Sequence, residues 1–253
     1  MLALTVPPVT ALLPPVVNSA VAAPGLAQMA MQEVVDDGGN LLCRTSYVNG
    51  LRDGSMAIYG AANAPAMEAT YQAGKLQGAL RLYDAKGGVL QVREHVNDLP
   101  HGITRTNYPS GKPLLEQQFV QGVAQGESVA YAESGEPIAR MQYVAGQLEG
   151  ESIYLTEGRV VRRARYRAGL LDGEVVDYGA NGAPTQTAQY RANLLNGVLR
   201  RFWPNGQVLE EIEYRKGKPV GVARRFDQNG MELVVSQQQP GFMKSLEKLV
   251  RGG

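Results

Sequence analysis

Residues 190–230 read YRANLLNGVLRRFWPNGQVLEEIEYRKGKPVGVARRFDQNG, and the second part of the stretch repeats the first after 24 residues. Tyr190 returns as Tyr214, Gly197 as Gly221, Phe202 as Phe226 and Gly206 as Gly230. Outward from there, the same opening recurs as YVNGLRDG at 47, YQAGKLQG at 71, HVNDLPHG at 95, FVQGVAQG at 119, YVAGQLEG at 143 and YRAGLLDG at 166. The steps are 24, 24, 24, 24, 23, 24 and 24 residues, so the chain carries eight copies of one unit. A fixed period of this length marks an array in which each unit packs on its neighbours, which suits 253 residues rich in glycine (30) better than one thick core does.

Three positions in the unit have backbone reasons to be nearly fixed. One glycine never varies (Gly54, Gly78, Gly102, Gly126, Gly150, Gly173, Gly197, Gly221), as expected for a positive φ or an approach too close for a Cβ. Four residues earlier the unit has glycine except at Asp98 and Asn193, the types that best tolerate the left-handed region. A third turn, nine residues after the invariant glycine, reads Asn63, Gly87, Gly111, Gly135, Gly158, Gly182, Gly206 and Gly230; Gly158 comes one residue early and accounts for the 23-residue step. Between these turns lie short segments rich in β-branched and aromatic residues, which predict two strands per unit. Loops such as Pro204-Asn205-Gly206 predict hairpins.

The fold class expected is therefore all-β: an elongated single-sheet antiparallel β-meander of hairpin units. One face carries a column of rings at Tyr47, Tyr71, Phe119, Tyr143, Tyr166, Tyr190 and Tyr214, whose pairing supplies much of the packing. The repeat domain spans residues 30–236. Residues 30–47 form an opening hairpin around Gly39, with Cys43 as a small buried thiol on its strand. Residues 237–253 form a capping helix with Phe242, Leu246, Leu249 and Val250 on one side. Residues 1–29 carry no charge and end near the small-residue run AVAA. They fit either an export signal that lacks the usual basic start or a disordered leader, so the expected location is periplasmic or exported, with cytoplasmic as the alternative.

The unit resembles the MORN repeat, with its aromatic, glycine pair, polar turn and second aromatic. The Y-x-x-G-x-x-x-G opening with N-G turns is more similar to the variant found in tandem in bacterial proteins of the antitoxin or immunity type. The resemblance covers roughly residues 30–236 and implies a protein-binding or lipid-binding role. The third unit departs from it, with His95, Asp98 and Asn107 in place of aromatic, glycine and aromatic.

Catalytic chemistry is missing from the sequence. The two histidines, His95 and His101, form no metal-ligand pair, and no nucleophile elbow or phosphate-binding loop occurs. One cysteine excludes a disulfide framework or a Cys-based zinc site within the chain, and no cofactor is expected. Charge is uneven: residues 30–158 hold 9 basic and 15 acidic side chains, a net of −6, and residues 159–225 hold 13 and 6, a net of +7. The candidate partner-binding residues are Arg163, Arg165, Arg200, Arg201, Arg224 and Arg225, with Trp203 beside them. Arg201 and Arg225 are expected on one face about 10 Å apart. His95 and His101 mark the irregular unit as a second candidate contact. A solvated strand face and neutral drift are the alternative readings of the two groups. The function expected is non-catalytic binding of a protein partner, a toxin or secreted effector encoded nearby. The alternatives are an anionic lipid surface and a passive scaffold, and nothing points to nucleic acid.

Overall fold

A computed structural model describes residues 27–233, so the leader up to residue 26 and the expected capping helix lie outside the described residues. The chain divides into two compact units, Met1–Gly102 and Ile103–Gly253. In each, successive strands pair antiparallel in an open meander, and the single helical element among the described residues is a 3-10 turn at Ala61–Asn63. The all-β repeat fold read from the sequence is thus the fold of both units.

The first glycine of each copy sits in a two-residue turn with both central residues at positive φ, as in Ala145 (49°) and Gly146 (80°) or Ala192 (49°) and Asn193 (65°). This is the primed turn whose twist matches the strands it joins. Asp98 and Asn193 adopt the expected left-handed conformation at φ 71° and 65°. They also make bonds that glycine cannot: the Leu76 N–H donates to Asp98 Oδ1 at 2.7 Å and the Leu171 N–H to Asn193 Oδ1 at 2.6 Å. Each pins a turn to the strand one copy earlier.

The invariant glycine is not a turn, which corrects the expectation. It lies in a bulge, inside a continuous strand in Leu51–Tyr59, Val123–Tyr131, Leu170–Tyr178 and Lys218–Phe226. In the second unit Ala124 pairs with Phe119 but Ser128 pairs with Gln117, leaving three residues around Gly126 opposite Gln118 alone. The same glycine faces the ring of the next copy, as in Gly126 with Tyr143, Gly173 with Tyr190 and Gly197 with Tyr214.

The residue just ahead of the glycine fastens the next copy. Asp53, Gln77, Gln125, Glu149 and Asn196 accept from the backbone N–H of Ala73, Asn97, Ala145, Ala168 and Lys216, at 2.8–3.3 Å. The 23-residue step is absorbed at Glu157 and Gly158, which close a two-residue turn with φ of 50° and 73° where other copies use a longer loop.

Packing is thinner than the ring column suggested. Tyr47 is buried, but Tyr71, Tyr143, Tyr166, Tyr190 and Tyr214 are half-buried. The most buried positions lie two before the tyrosine or two after the glycine, as at Thr45, Met56, Ser128, Ser152, Ala164 and Ala188. The position two after the glycine also takes larger apolar residues, Met56, Val175 and Leu199, which are buried as well. The first unit adds an apolar cluster of Cys43, Met56 and Met67 with Ile58 and Leu82 against it. The opening hairpin forms as read, from Met29–Val35 paired with Leu41–Val48, with Gly39 at φ 80° and Cys43 buried.

Candidate functional site

One row of the tyrosine face changes character along the chain. In the first unit its cross-strand neighbours run Cys43, Ile58, Met67, Leu82 and Gln91, largely apolar. In the second unit the equivalent row begins apolar with Leu115, Ala130 and Ala139 and then runs Tyr154, Arg162, Asp177, Gln186, Arg201, Glu210 and Arg225. Identical backbone pairing therefore carries a largely apolar strip up to Ala139 and an ionic ladder from Arg162 on. The fold does not require the ladder, which makes it the strongest candidate for function.

The ladder is joined by hydrogen bonds from end to end. Arg162 donates to both carboxylate oxygens of Asp177, Nε to Oδ1 at 2.5 Å and a terminal nitrogen to Oδ2 at 3.0 Å. Gln186 donates to the same carboxylate at 3.4 Å and accepts from Arg201 Nε at 3.3 Å. Glu210 accepts from Arg201 at 3.3 Å and from Arg225 Nε at 3.0 Å. The Glu210 side chain is only 11% exposed and lies between these two guanidinium groups. The bond to Asp177 pushes the Arg162 guanidinium pKa up.

Beside Arg162 and Asp177 opens a cavity of about 450 Å³, with Tyr154, Tyr166 and Tyr190 around it and Ala164, Leu171 and Val175 on its apolar wall. The hydroxyls of Tyr154 and Tyr166 lie 3.2 Å apart, and burial followed by this contact pushes the Tyr154 phenol pKa well up. The phenol stays neutral and serves as donor and acceptor. The arrangement offers aromatic walls, a charged but internally compensated edge and no activated nucleophile. Among the described residues no cluster of His, Cys, Asp and Glu could hold a metal ion.

The predicted basic stripe is divided between the two faces. Arg201 and Arg225 share the tyrosine face, both across from Glu210 as the spacing required. Arg200 and Arg224 lie on the opposite face, both bonded to Glu211, and Arg224 also to Glu232. Arg163 pairs with Glu151 at 3.3 Å, and with Arg165, Glu174 and Tyr178 it borders a hollow of about 550 Å³ on that opposite face. Trp203 is half-buried and its indole N–H donates to the Phe226 carbonyl at 3.0 Å, tying successive hairpins together. His95 is buried in the tyrosine column, paired with Gly78, with Nδ1 3.2 Å from the Arg93 carbonyl oxygen and a pKa pushed down by burial. His101 is exposed, at the position just ahead of Gly102.

The matched segments of the sequence fall on this same architecture. Two stretches match the MORN repeat variant. They are residues 100–121 and 195–216, and each runs from just before the bulge glycine, through the hairpin and the ring, to the first residue of the primed turn. The first match starts after His95 and Asp98 and includes Asn107 of the irregular copy. No curated protein matches the chain. MORN repeats are generally protein-binding or membrane-binding modules.

Sequence reasoning missed Tyr154, Arg162, Asp177, Gln186 and Glu210. The signal was present four residues after each invariant glycine, where the copies read Ile58, Leu82, Thr106, Ala130, Tyr154, Asp177, Arg201 and Arg225. The drift from apolar to charged at one structural position marks the site.

Proposed function

We propose that this chain is a non-catalytic protein-binding module that engages its partner through the tyrosine face of the second unit. The narrower reading is an immunity or antitoxin partner that masks a bacterial toxin or secreted effector. The observation that carries the proposal is the conversion of an apolar row into the Arg162–Asp177–Gln186–Arg201–Glu210–Arg225 ladder beside a tyrosine-walled cavity. A ladder of alternating sign specifies register on a protein surface and adds little net charge. The test is to immobilise the full chain, capture partners from its native host and assay the dominant one for toxicity with and without the chain. A single stoichiometric partner, encoded beside it and neutralised on mixing, supports the narrower reading. A single non-toxic partner leaves only the broader one, and recovery of no partner refutes both.

A membrane-surface reading is favoured by a different feature. Arg191, Lys216 and Lys218 are exposed at the rim of primed turns, next to Leu170 and Leu194 at 42% and 49% exposure. Flotation with anionic vesicles that falls with added salt would support it.

A further inference from the structure

The rings of the second unit form a regular rule. Tyr143, Tyr166, Tyr190 and Tyr214 occur on alternate strands of one face, each across from a bulge glycine. Two strand spacings set them roughly 9.4–9.8 Å apart. Across each ring on its other side stands an apolar neighbour, Leu148, Leu171, Leu195 and Pro219 in turn. Between rings the floor is the buried Ala164, Val175 and Ala188. The tyrosine-walled cavity is the bay between Tyr166 and Tyr190, and Ser152 and Leu199 hold the equivalent floor position on either side of it.

Three of the four hydroxyls in this row have no hydrogen-bond partner among the described residues. Tyr166 meets Tyr154, but Tyr143, Tyr190 and Tyr214 make no hydrogen bond to any described residue. Half-buried phenols usually find a partner. The row offers donors at a fixed pitch, while the neighbouring acceptors, Asp177 and Glu210, are already taken by arginines.

A polyproline II helix has three residues per turn at 3.1 Å each, so it repeats every 9.3 Å or so, with carbonyls that have no internal partner. An extended strand repeats its side chains roughly every 6.8 Å, and an α-helix turns every 5.4 Å, so both lose step within one bay. Proline also carries no N–H, so a proline-rich chain brings acceptors to a surface short of acceptors.

Resting on the protein-binding reading, we propose that the tyrosine row of residues 143–214 is a groove for a proline-rich segment of the partner, bound as a polyproline II helix. Prolines seat in the bays between rings, and every third carbonyl accepts from a tyrosine hydroxyl.

The test is calorimetric titration of the full chain with a synthetic deca-proline peptide, beside a Gly-Ser peptide of equal length and the variant Y143F/Y190F/Y214F. The variant keeps every ring, and its thermal midpoint checks that the fold is intact. Saturable binding of deca-proline, absent for Gly-Ser and weakened about tenfold or more in the variant, is expected from the loss of three hydrogen bonds. No saturable binding at millimolar peptide, or equal affinity in the variant, overturns the proposal. Displacement of deca-proline by phosphatidylserine vesicles through the same hydroxyls would assign the row to lipid and overturn it as well. A captured partner that binds the variant as tightly as the parent refutes the groove but leaves the protein-binding reading standing. Capture of no partner refutes that reading, while the titration still decides the groove.

Discussion

Replacing Gly197 by alanine probes the bulge on which every copy is built. Its φ is 129°, a region that only glycine enters readily, and an added Cβ would lie 2.8 Å from the Gln189 Cβ on the adjacent strand. Gly150 occupies the same repeat position at φ 82°, but a Cβ there meets nothing within 4 Å. Gly150→Ala therefore carries only left-handed strain, about 1–2 kcal/mol. Gly197→Ala carries strain of about 1–3 kcal/mol plus overpacking of about 1–3 kcal/mol, for a total of about 2–6 kcal/mol. Both variants gain the same small stabilisation from a stiffer unfolded chain, so it cancels in the difference. Urea unfolding followed by far-UV circular dichroism, with m-values compared, reads the difference directly. Equal midpoints for the two variants, or a lower one for Gly150→Ala, would show that close approach across the bulge is not what makes the position glycine.

Other outcomes follow from the bonds around the site. Glu210→Gln weakens the partner of both Arg201 and Arg225 and should cost about 1–3 kcal/mol. Glu211→Gln, whose bonds to Arg200 and Arg224 are more exposed, should cost less, about 0.5–1 kcal/mol, and the same unfolding assay ranks them. Asn193→Ala loses the acceptor for the Leu171 N–H and keeps the left-handed strain, so it should destabilise by about 1–3 kcal/mol, whereas Asn193→Gly should cost less because it relieves the strain. His95 has a pKa below its ordinary 6.5 because burial favours the neutral ring. Its contribution is present above pH 6.5 and is lost as pH falls through the lower folded value, so urea midpoints should drop between neutral and mildly acidic pH; in His95→Tyr this portion of the drop should vanish. Trp203→Phe removes the donor to the Phe226 carbonyl and should cost about 0.5–1.5 kcal/mol, seen as faster amide exchange around that hairpin.

The glycines made the architecture legible, because their constraint is local: a positive φ leaves its mark at one sequence position whatever the surroundings. Asp98 and Asn193 were readable for the same reason. The bulge was misread as a turn because a positive φ alone does not distinguish the two; the distinction lies in how many residues oppose it across the ladder, as Gln118 shows against the three residues around Gly126. The basic stripe was visible as composition but not as geometry. Adjacent arginines such as Arg200 and Arg201 point to opposite faces, and their carboxylate partners, Glu211 and Glu210, come from the next strand. The ladder stayed hidden because it is built from residues nine to fifteen apart, each ordinary alone. Only the strand register makes them neighbours. Tyr154 was concealed further by the 23-residue step, which shifts the ring by one position onto the tyrosine face.

Hydroxyl-radical footprinting of the captured complex tests the central claim most directly, since it reads individual side chains on each face. The account predicts that Tyr154, Tyr166 and Tyr190 are oxidised more slowly with partner bound, while Tyr131 and Tyr178 on the opposite face are unchanged. Protection of Tyr178 with no change at Tyr166 and Tyr190 would place the partner on the other face and contradict it.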